Sequence, residues 1–215
     1  MVKGIFITAT GTDAGKTYIS ALICKNTGCG YYKPAMSGIE EGKLSDAEYV
    51  FKIASLNGNP ENYVSYPFKE AVSPHLAAKR SGVSIKLDKI KSDFERIKKE
   101  YDYILVEGAG GITCPFNLDE ERILLPDVIK ALGLNIVIVA DAGLGTINSI
   151  LLTVEYAKNH GIRIEGIILN NYDRNNFMHL DNKEIAEELT GVRVIATVEH
   201  NAKDIEDLIY IFKEI

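Results

Sequence analysis

Short runs of apolar residues alternate along the chain with longer segments in which apolar positions recur every three or four residues. The runs predict a first strand that begins at Gly4, a second strand that ends before Pro34, and further strands over residues 101–106, 134–140, 164–169 and 192–197. The periodic segments predict helices at residues 18–25, 45–56, from Pro74 onward, and at 86–101, 126–132, 146–159, 181–189 and 202–212. Continuous Ile and Val runs separated by helices are typical of a parallel sheet covered on both faces, so we predict a doubly wound, mainly parallel α/β fold.

Proline, glycine and capping residues set several of the expected boundaries. Pro34 cannot donate a hydrogen bond to a β-ladder, so we expect it to end the second strand. Ser45 is followed three residues later by Glu48, which predicts a capping box at the start of a helix. Residues 57–74 contain a glycine and three prolines and are predicted to be irregular.

Composition and charge limit the possible functions. The 215 residues are 46% hydrophobic and carry a net charge of −6, which argues against broad nucleic-acid binding. The apolar runs are far shorter than the roughly 18 residues that span a bilayer, so we expect no membrane insertion. Met1 leads directly into the first strand, so we expect no targeting signal and a cytoplasmic location.

The three cysteines, Cys24, Cys29 and Cys114, lack metal-binding spacing and are expected to be reduced thiols. Cys114 falls in a candidate active-site loop, where a small buried residue is favoured over a nucleophile. The four histidines share no spacing, so surface or structural roles are expected for them.

The first strand runs into a turn of small residues that ends in Gly15, Lys16 and Thr17. A strand, a tight loop and a helix in this order direct backbone N–H groups and the helix N terminus at one point, where an anion is stabilised. We therefore predict a phosphate-binding P-loop in which Lys16 reaches the outer phosphates and the Thr17 hydroxyl binds Mg²⁺. Thr10 stands where the motif G-x-x-x-x-G-K-[ST] has its first Gly, which favours a specialised P-loop; the alternative is a βα turn with a surface lysine.

Two further polar residues follow strand ends at the edge where α/β sheets bind ligands. Lys33 ends the second predicted strand, and Glu107 ends a later one, before the Gly- and Ala-rich run 108–111. A carboxylate at Glu107 can reach a Mg²⁺ held by Thr17, whereas the alternative is a solvated strand end. Asp46 alone is expected only to interact favourably with the dipole of the helix that it starts.

A series of short motifs occurs in order along almost the whole chain. They are the loop 10–17, Tyr32-Lys33-Pro34 with Ser37-Gly38, Ser45-Asp46-Ala47, Ser73-Pro74-His75, the run 106–111, Leu144 to Asn148, and the strand-end Asn170. Each motif is modest alone, but their order and spacing resemble the dethiobiotin synthetase family, ATP-dependent enzymes of biotin biosynthesis. No low-complexity tract or repeat interrupts the chain, so we predict a single P-loop NTPase-like domain over residues 1–215.

The resemblance also implies roles for the matching positions. ATP would be bound by Thr12, Asp13, Ala14, Gly15, Lys16, Thr17, Glu107, Gly108, Gly110 and Asn170, the last of these recognising adenine. Mg²⁺ would be bound by Thr17, Asp46 and Glu107. The substrate would be bound by Thr12, Lys33 and Ser37 and, from the partner subunit of a homodimer, by Gly145, Thr146, Ile147 and Asn148. The catalytic residues would be Thr12, Lys16 and Lys33.

The implied reaction is that of a ligase, a cyclo-ligase that forms C–N bonds. It converts 7,8-diaminononanoate, CO₂ and ATP into dethiobiotin, ADP and phosphate. The resemblance implies that the carboxylate tail of the substrate is held at residues 145–148 of the partner subunit, so that the active sites lie at the subunit interface. Binding of the tail there agrees with the sequence, because Gly-Thr-Ile-Asn at a helix start is an anion site in its own right. The chain departs from the family at Ala9, where Gly is usual, at Asp13, where Glu is common, and at Glu199, where the adenine-binding loop usually has Pro.

A switch-type P-loop ATPase of the partitioning and septum-placement class is the main alternative. Such proteins carry a second lysine early in the P-loop, and no lysine lies between Gly4 and Gly15. They often end in a basic or amphipathic membrane tail, whereas residues 204–215 are acidic and mixed. An amidating synthetase of the cobyrinate type would need a further glutaminase domain, for which 215 residues leave no room.

Overall fold

The computed structural model describes residues 4–119 and 121–205, and a seven-stranded parallel sheet lies at its centre. The strands are β1 (Gly4–Ala9), β2 (Gly30–Met36), β3 (Val64–Pro67), β4 (Ile104–Glu107), β5 (Pro115–Asn117), β6 (Ile123–Leu124), β7 (Asn135–Asp141), β8 (Ile164–Asn170) and β9 (Val194–Val198). The helices are α1 (Lys16–Thr27), α2 (Asp46–Ala54), α3 (Pro74–Arg80), α4 (Leu87–Ile97), α5 (Leu125–Leu132), α6 (Thr146–Asn159) and α7 (Phe177–Thr190). A short 3₁₀ helix spans Pro60–Tyr63, and β5 and β6 form a separate antiparallel pair.

The order of the strands places β1 in the middle of the sheet. The order is β3-β2-β4-β1-β7-β8-β9, so β1 pairs with β4 on one side and with β7 on the other. All six residues of β1 are buried, and consecutive residues of a strand point to opposite faces, so helices cover both faces of the sheet. The chain leaves β1 toward β2 and later returns to the opposite side of β1, which creates a crevice at the carboxyl ends of the central strands.

The predicted fold class is confirmed, but the expectation that Pro34 ends the second strand is wrong. β2 continues through Pro34 to Met36. Its pairing with β4 stops at Tyr32, and its pairing with β3 joins Lys33 to Val64 and Ala35 to Tyr66. Pro34 lies between those two pairs and beyond the last β4 pair, so its missing N–H leaves the ladder intact.

Other boundaries differ because long-range pairing is invisible in local periodicity. The segment 57–74, predicted to be irregular, contains a 3₁₀ turn and the edge strand β3. The first helix begins at Lys16 and the last described one at Phe177, both earlier than predicted. Of the predicted closing helix 202–212, residues 202–205 have no helical structure and the rest lies outside the described residues.

The predicted capping box is confirmed at the start of α2. The Ser45 Oγ accepts a hydrogen bond from the Glu48 N–H at 3.3 Å, and the Glu48 Oε2 accepts one from the Ser45 N–H at 2.7 Å. Pro74 occupies the first turn of α3, as predicted. Within residues 4–119 and 121–205, no helix combines the length and apolar character needed to cross a membrane.

Candidate nucleotide and substrate site

The loop between β1 and α1 has the backbone shape of a phosphate-binding turn. Asp13 has a φ of 61° and Gly15 a φ of 97°, so both residues adopt the left-handed region. Strain of this kind in a non-glycine residue is characteristic of ligand-binding loops. Lys16 opens α1, and its Nζ donates a hydrogen bond to the carbonyl oxygen of Gly11 at 3.2 Å. The loop backbone therefore contacts the lysine side chain that the sequence predicts to bind phosphate.

The end of β8 supports this loop from behind. The Asn170 Nδ2 donates to the carbonyl oxygen of Ala14 at 3.1 Å, and a Cβ on Gly15 would lie only 2.1 Å from that nitrogen. Glycine is therefore required at position 15 both by its φ and by the approach of Asn170. The Asn170 Oδ1 is buried and has no hydrogen-bond partner among the described residues. Adenine recognition by Asn170 stays a prediction, since this side chain faces the loop.

A buried lysine joins two carboxylates beside the loop. The Lys33 Nζ lies 2.5 Å from the Asp46 Oδ2 and 2.5 Å from the Glu107 Oε1. The Thr17 Oγ1 donates to the same Glu107 oxygen at 2.8 Å, and the Tyr31 hydroxyl donates to the Glu107 Oε2 at 3.0 Å. Glu107 is completely buried, so the alternative of a solvated strand end is wrong. The structure thus brings together the three residues predicted to bind Mg²⁺.

The two lysines of the site have opposite pKa shifts. Burial lowers the pKa of Lys16, and the nearby Glu107 charge offsets this only in part. Burial also acts to lower the pKa of Lys33, but the charges of Glu107 and Asp46 outweigh it and leave the pKa raised. Burial would raise the pKa of Asp46, yet the Lys33 charge outweighs it and holds that pKa below its usual value. The ionised forms of Lys33 and Asp46 therefore stabilise each other.

These side chains line one cleft of about 970 Å³ at the carboxyl ends of β1, β2 and β4. Its lining includes Thr12, Asp13, Gly15, Lys16, Thr17, Lys33, Ser37, Gly38, Asp46, Ser73, Pro74, Glu107, Gly108, Gly110 and Cys114. The Ser37 Oγ is buried without a hydrogen-bond partner among the described residues. A buried hydroxyl without a partner is expected where a ligand supplies the missing hydrogen bond.

Two features of the cleft wall follow from close packing. A Cβ on Gly108 would lie 2.9 Å from the Phe6 ring, so only glycine lets this segment pass β1. Cys114 is buried in the wall, and burial raises the pKa of its thiol to about 11. The prediction of a small buried residue at Cys114 is confirmed, because a thiol with this pKa is a poor nucleophile at neutral pH.

The residues predicted to bind the substrate tail lie elsewhere. Gly145, Thr146, Ile147 and Asn148 begin α6, and none of them lines the cleft. Gly145 caps the helix with a φ of 88°, and the Thr146 Oγ1 is buried without a partner among the described residues. Within one chain this helix start therefore lies outside the cleft that the P-loop lines.

The sequence reasoning missed Tyr31, whose hydroxyl contacts Glu107. Tyr31 lies in an apolar strand. The sequence pattern of such a strand does not reveal whether the tyrosine hydroxyl forms a hydrogen bond. Only its spacing offered a signal, because residues two apart on a strand share a face and Tyr31 is two residues before Lys33.

The donor set fits a Mg²⁺ ion that is shared with phosphate. Thr17, Asp46 and Glu107 offer only oxygen atoms, which Mg²⁺ prefers. Among the described residues no group of three or more His, Cys, Asp or Glu side chains could hold a metal by themselves. Nucleotide sites typically bind Mg²⁺ through one or two carboxylates, with phosphate oxygens and waters completing the shell, so this sparse set is the expected one.

Comparisons with known proteins agree with this geometry. A protein-family model described as "AAA domain" matches residues 3–206. The ATP-dependent dethiobiotin synthetase BioD of Clostridium botulinum (strain Eklund 17B / Type B) is 52% identical over 215 residues, covering 96% of this chain and 94% of that protein. The enzyme of the same name from the Loch Maree strain is 48% identical over 227 residues and covers all of both chains.

The chain belongs to the ATP-dependent dethiobiotin synthetase family. The resemblance drawn from the ordered motifs is thereby confirmed.

Solved structures outside the dethiobiotin synthetase family share the fold. The ParA family ATPase from Chlorobium tepidum TLS superposes with a TM-score of 0.56 at 15% identity, covering 93% of this chain and 86% of that one. The MinD cell division protein from Aquifex aeolicus gives a TM-score of 0.53 at 15% identity, covering 99% and 86%. At this identity the likeness shows the fold alone.

Proposed function

We propose that this protein is an ATP-dependent dethiobiotin synthetase, which closes the ureido ring of dethiobiotin from 7,8-diaminononanoate, CO₂ and ATP. One observation carries the proposal: buried Lys33 is paired with Asp46 and Glu107 in the same cleft as the P-loop lysine, Lys16. A phosphate site and a second fixed cation in one cleft suit the joining of a carboxylated amine to a γ-phosphate. The dethiobiotin synthetases that are about 50% identical to this chain over nearly its whole length support the same reaction.

The proposed reaction has three steps. One amine of the substrate adds to CO₂, losing a proton, and forms a carbamate. A carbamate oxygen attacks the γ-phosphorus of ATP, the bond to the bridging oxygen breaks, and ADP leaves. The second amine attacks the carbonyl carbon of this carbamic–phosphoric anhydride and loses a proton, and phosphate leaves as the ring closes. The protein contributes positioning and charge stabilisation, as in other phosphoryl transfers.

The two lysines are assigned different parts of this reaction. Lys16 and the P-loop residues Thr12 to Thr17 bind the phosphates of ATP. Lys33 is held in its charged form by its carboxylate neighbours and stabilises the anionic carbamate and the transferring phosphate. Thr12 and Ser37, which both line the cleft, bind the substrate, and the Ser37 hydroxyl lacks a protein partner among the described residues.

Thr17, Asp46 and Glu107 would hold Mg²⁺, and Mg²⁺ neutralises charge on the phosphate oxygens during transfer. The Thr17 Oγ1 is already 2.8 Å from the Glu107 Oε1. Lys33 holds the two carboxylates close together by pairing with both, which prepares the oxygen donors for the ion. Gly108 and Gly110 lie beside Glu107 and let the backbone approach the nucleotide.

We also propose a homodimer whose partner chain supplies the residues 145–148. The start of α6 is an anion site suited to the carboxylate tail of the substrate, yet it lies outside the cleft of its own chain. Large apolar side chains are exposed near it: Leu144 is 93% exposed and Phe177 is 85% exposed. The Asn182 Nδ2 donates to the carbonyl oxygens of residues 142 and 143, which fixes α7 beside this turn. A second copy of the chain would cover these side chains and bring its helix start to the cleft.

A cytoplasmic location fits the proposal, since ATP is available there and the three cysteines are free thiols.

An assay of the purified protein tests the proposed function. The protein is incubated with 7,8-diaminononanoate, bicarbonate, Mg²⁺ and ATP, and dethiobiotin is detected by mass spectrometry. We expect dethiobiotin and ADP to form in equal amounts and both to require all four components. ATP hydrolysis that proceeds at the same rate without the diamine, and yields no dethiobiotin, would instead favour a switch-type ATPase.

A further inference from the structure

The two carboxylate oxygens of Glu107 have separate sets of partners. The Oε1 accepts hydrogen bonds from Thr17 and Lys33, at 2.8 and 2.5 Å. The Oε2 accepts one from the Tyr31 hydroxyl, at 3.0 Å. Tyr31 is completely buried and does not line the cleft, so it cannot touch a nucleotide or substrate there.

The strand register explains why Tyr31 reaches Glu107. Tyr31 on β2 is the parallel partner of Leu105 on β4. Glu107 is two residues beyond Leu105, and Lys33 is two residues beyond Tyr31, so all four side chains lie on the same face of the sheet. Tyr31 and Glu107 are therefore diagonal neighbours across two strands, a spacing that a long aromatic side chain spans.

The ring of Tyr31 also touches the helix that carries the other carboxylate. It packs edge-to-face against Phe51 of α2, with ring centroids 6.5 Å apart and planes at 82°. The same helix begins with Asp46. Tyr31 therefore connects β2, β4 and α2, the three elements that hold Lys33, Glu107 and Asp46.

We propose that Tyr31 is a positioning residue for the metal site: its hydroxyl fixes the buried Glu107 carboxylate so that the Oε1 faces Thr17 and the cleft. A ligating carboxylate whose other oxygen is held in place pays less conformational entropy on binding, and outer partners of this kind commonly change metal affinity by about 10- to 100-fold. The inference rests on the proposed function, because that function gives Glu107 its role in binding Mg²⁺.

A neighbouring tyrosine supplies a matched control. Tyr32 is also completely buried and also lies on β2, but its side chain points to the opposite face. Its hydroxyl lies 2.6 Å from the Ser65 Oγ and donates to the carbonyl oxygen of Ile90 at 3.0 Å. The substitutions Tyr31→Phe and Tyr32→Phe thus remove the same buried group from adjacent positions, and only the first removes a contact to Glu107.

The experiment measures metal binding without turnover. Each variant is saturated with the non-hydrolysable β,γ-imido analogue of ATP and titrated with Mg²⁺ by calorimetry, or with Mn²⁺ by electron paramagnetic resonance. We expect Tyr31→Phe to weaken metal affinity about ten-fold or more, while affinity for the analogue without metal is unchanged. We expect Tyr32→Phe to stay within about two-fold of the native protein in both measurements. Thermal unfolding of the metal-free proteins checks that both variants fold.

A second variant restores the donor. Replacing Tyr31 by 4-aminophenylalanine keeps the ring and places an N–H donor where the hydroxyl was, so metal affinity should return toward the native value. Metal affinity within two-fold of native in Tyr31→Phe, or an equal loss in Tyr32→Phe, would overturn the proposal. If the native protein with the analogue bound no metal at all, the magnesium site of the proposed function would fail instead, and the role of Tyr31 with it.

Discussion

At the scale of single residues, the two buried lysines differ in what compensates their charge. Burial disfavours the charged form of Lys16, whose pKa is lowered. Lys33 is paired on both sides, and its pKa is raised. A lysine whose pKa is lowered by folding reduces stability at neutral pH, and this penalty shrinks as the pH rises above the lowered pKa and is gone above the pKa of the unfolded chain. A lysine whose pKa is raised adds stability at neutral pH, and this gain is lost only as the pH rises through the raised value.

Lys16→Ala should therefore separate activity from stability. Dethiobiotin formation should fall by several powers of ten, because the charge facing the outer phosphates is lost. The thermal unfolding midpoint at neutral pH should stay the same or rise, because a desolvated charge is removed. Lys43→Ala, at an exposed lysine paired with Glu40, is the control and should change neither quantity appreciably. Near-native activity in the folded Lys16→Ala variant would show that the P-loop assignment is wrong.

Lys33→Gln should lower both the activity and the stability of the protein. Removing one partner of a buried ion pair typically costs about 3–5 kcal/mol, because Glu107 remains buried with its charge uncompensated. ATP affinity should be nearly intact, while the KM for the diamine rises and the chemical step slows. Denaturant unfolding and steady-state kinetics measure the two effects. The double variant Lys33→Gln/Glu107→Gln should recover part of the lost stability, and no recovery would argue that the pair is not what stabilises this site.

At the scale of elements, the P-loop depends on a strand from a distant part of the sequence. The turn between β1 and α1 has the predicted motif, but its glycine is enforced by Asn170 at the end of β8. Local periodicity carries no information about that contact.

Gly15→Ala should distort the loop far more than an ordinary left-handed glycine substitution. A left-handed conformation costs an L-residue about 1–2 kcal/mol, and at position 15 the new Cβ would also collide with the Asn170 amide. Gly42→Ala is the control, because Gly42 has a φ of 80° and, among the described residues beyond its chain neighbours, none comes within 4 Å of its Cβ position. Gly15→Ala should lose nucleotide binding and lower the unfolding midpoint by more than Gly42→Ala, as measured by calorimetry. Equal effects would show that Asn170 does not constrain the loop.

The sequence predicted the elements with strong periodicity and failed where pairing or packing is long-range. The capping box at Ser45 was predicted because its two partners are three residues apart. The continuation of β2 through Pro34 could not be predicted, since it depends on which neighbouring strand ends first. Glu107 was found because a charge at the end of an apolar strand is conspicuous. Tyr31 was missed because its hydroxyl lies in an apolar run.

At the scale of the whole molecule, the strand order places β1, β4 and β2 side by side, so that their carboxyl ends form the cleft. The start of α6 lies outside this cleft. The proposed dimer resolves this separation, since the helix start of one chain would complete the cleft of the other. Each active site would then depend on residues from both chains.

Mixing two inactive variants tests this arrangement. Lys16→Ala removes the phosphate lysine, and Gly145→Asp places a carboxylate at the helix start, where it repels the carboxylate tail of the substrate. Apart from the neighbouring backbone, no atom of the described residues lies within 4 Å of the Cβ position of Gly145, so the added side chain has room. Gly145→Asn has the same shape without charge and is the control for backbone strain.

Each of the two variant homodimers should be nearly inactive. After subunit exchange, about half of the dimers are mixed and each has one intact site, so roughly a quarter of native activity should return. The Gly145→Asn homodimer should retain more activity than the Gly145→Asp one. A mixture that stays inactive after exchange has been verified would place the whole site within one chain.

The central claim is that ATP activates a carbamate made from CO₂, and the path of the CO₂ oxygens tests it most directly. The reaction is started with ¹⁸O-labelled CO₂ in unlabelled water and stopped before the label exchanges with the solvent. Attack of a carbamate oxygen on the γ-phosphorus, followed by ring closure at the carbonyl carbon, transfers one labelled oxygen to phosphate and leaves the other in the ureido carbonyl. Mass spectrometry of the products should find one ¹⁸O in each phosphate and one in each dethiobiotin. Phosphate without label from CO₂, carrying instead an oxygen from water, would contradict the account.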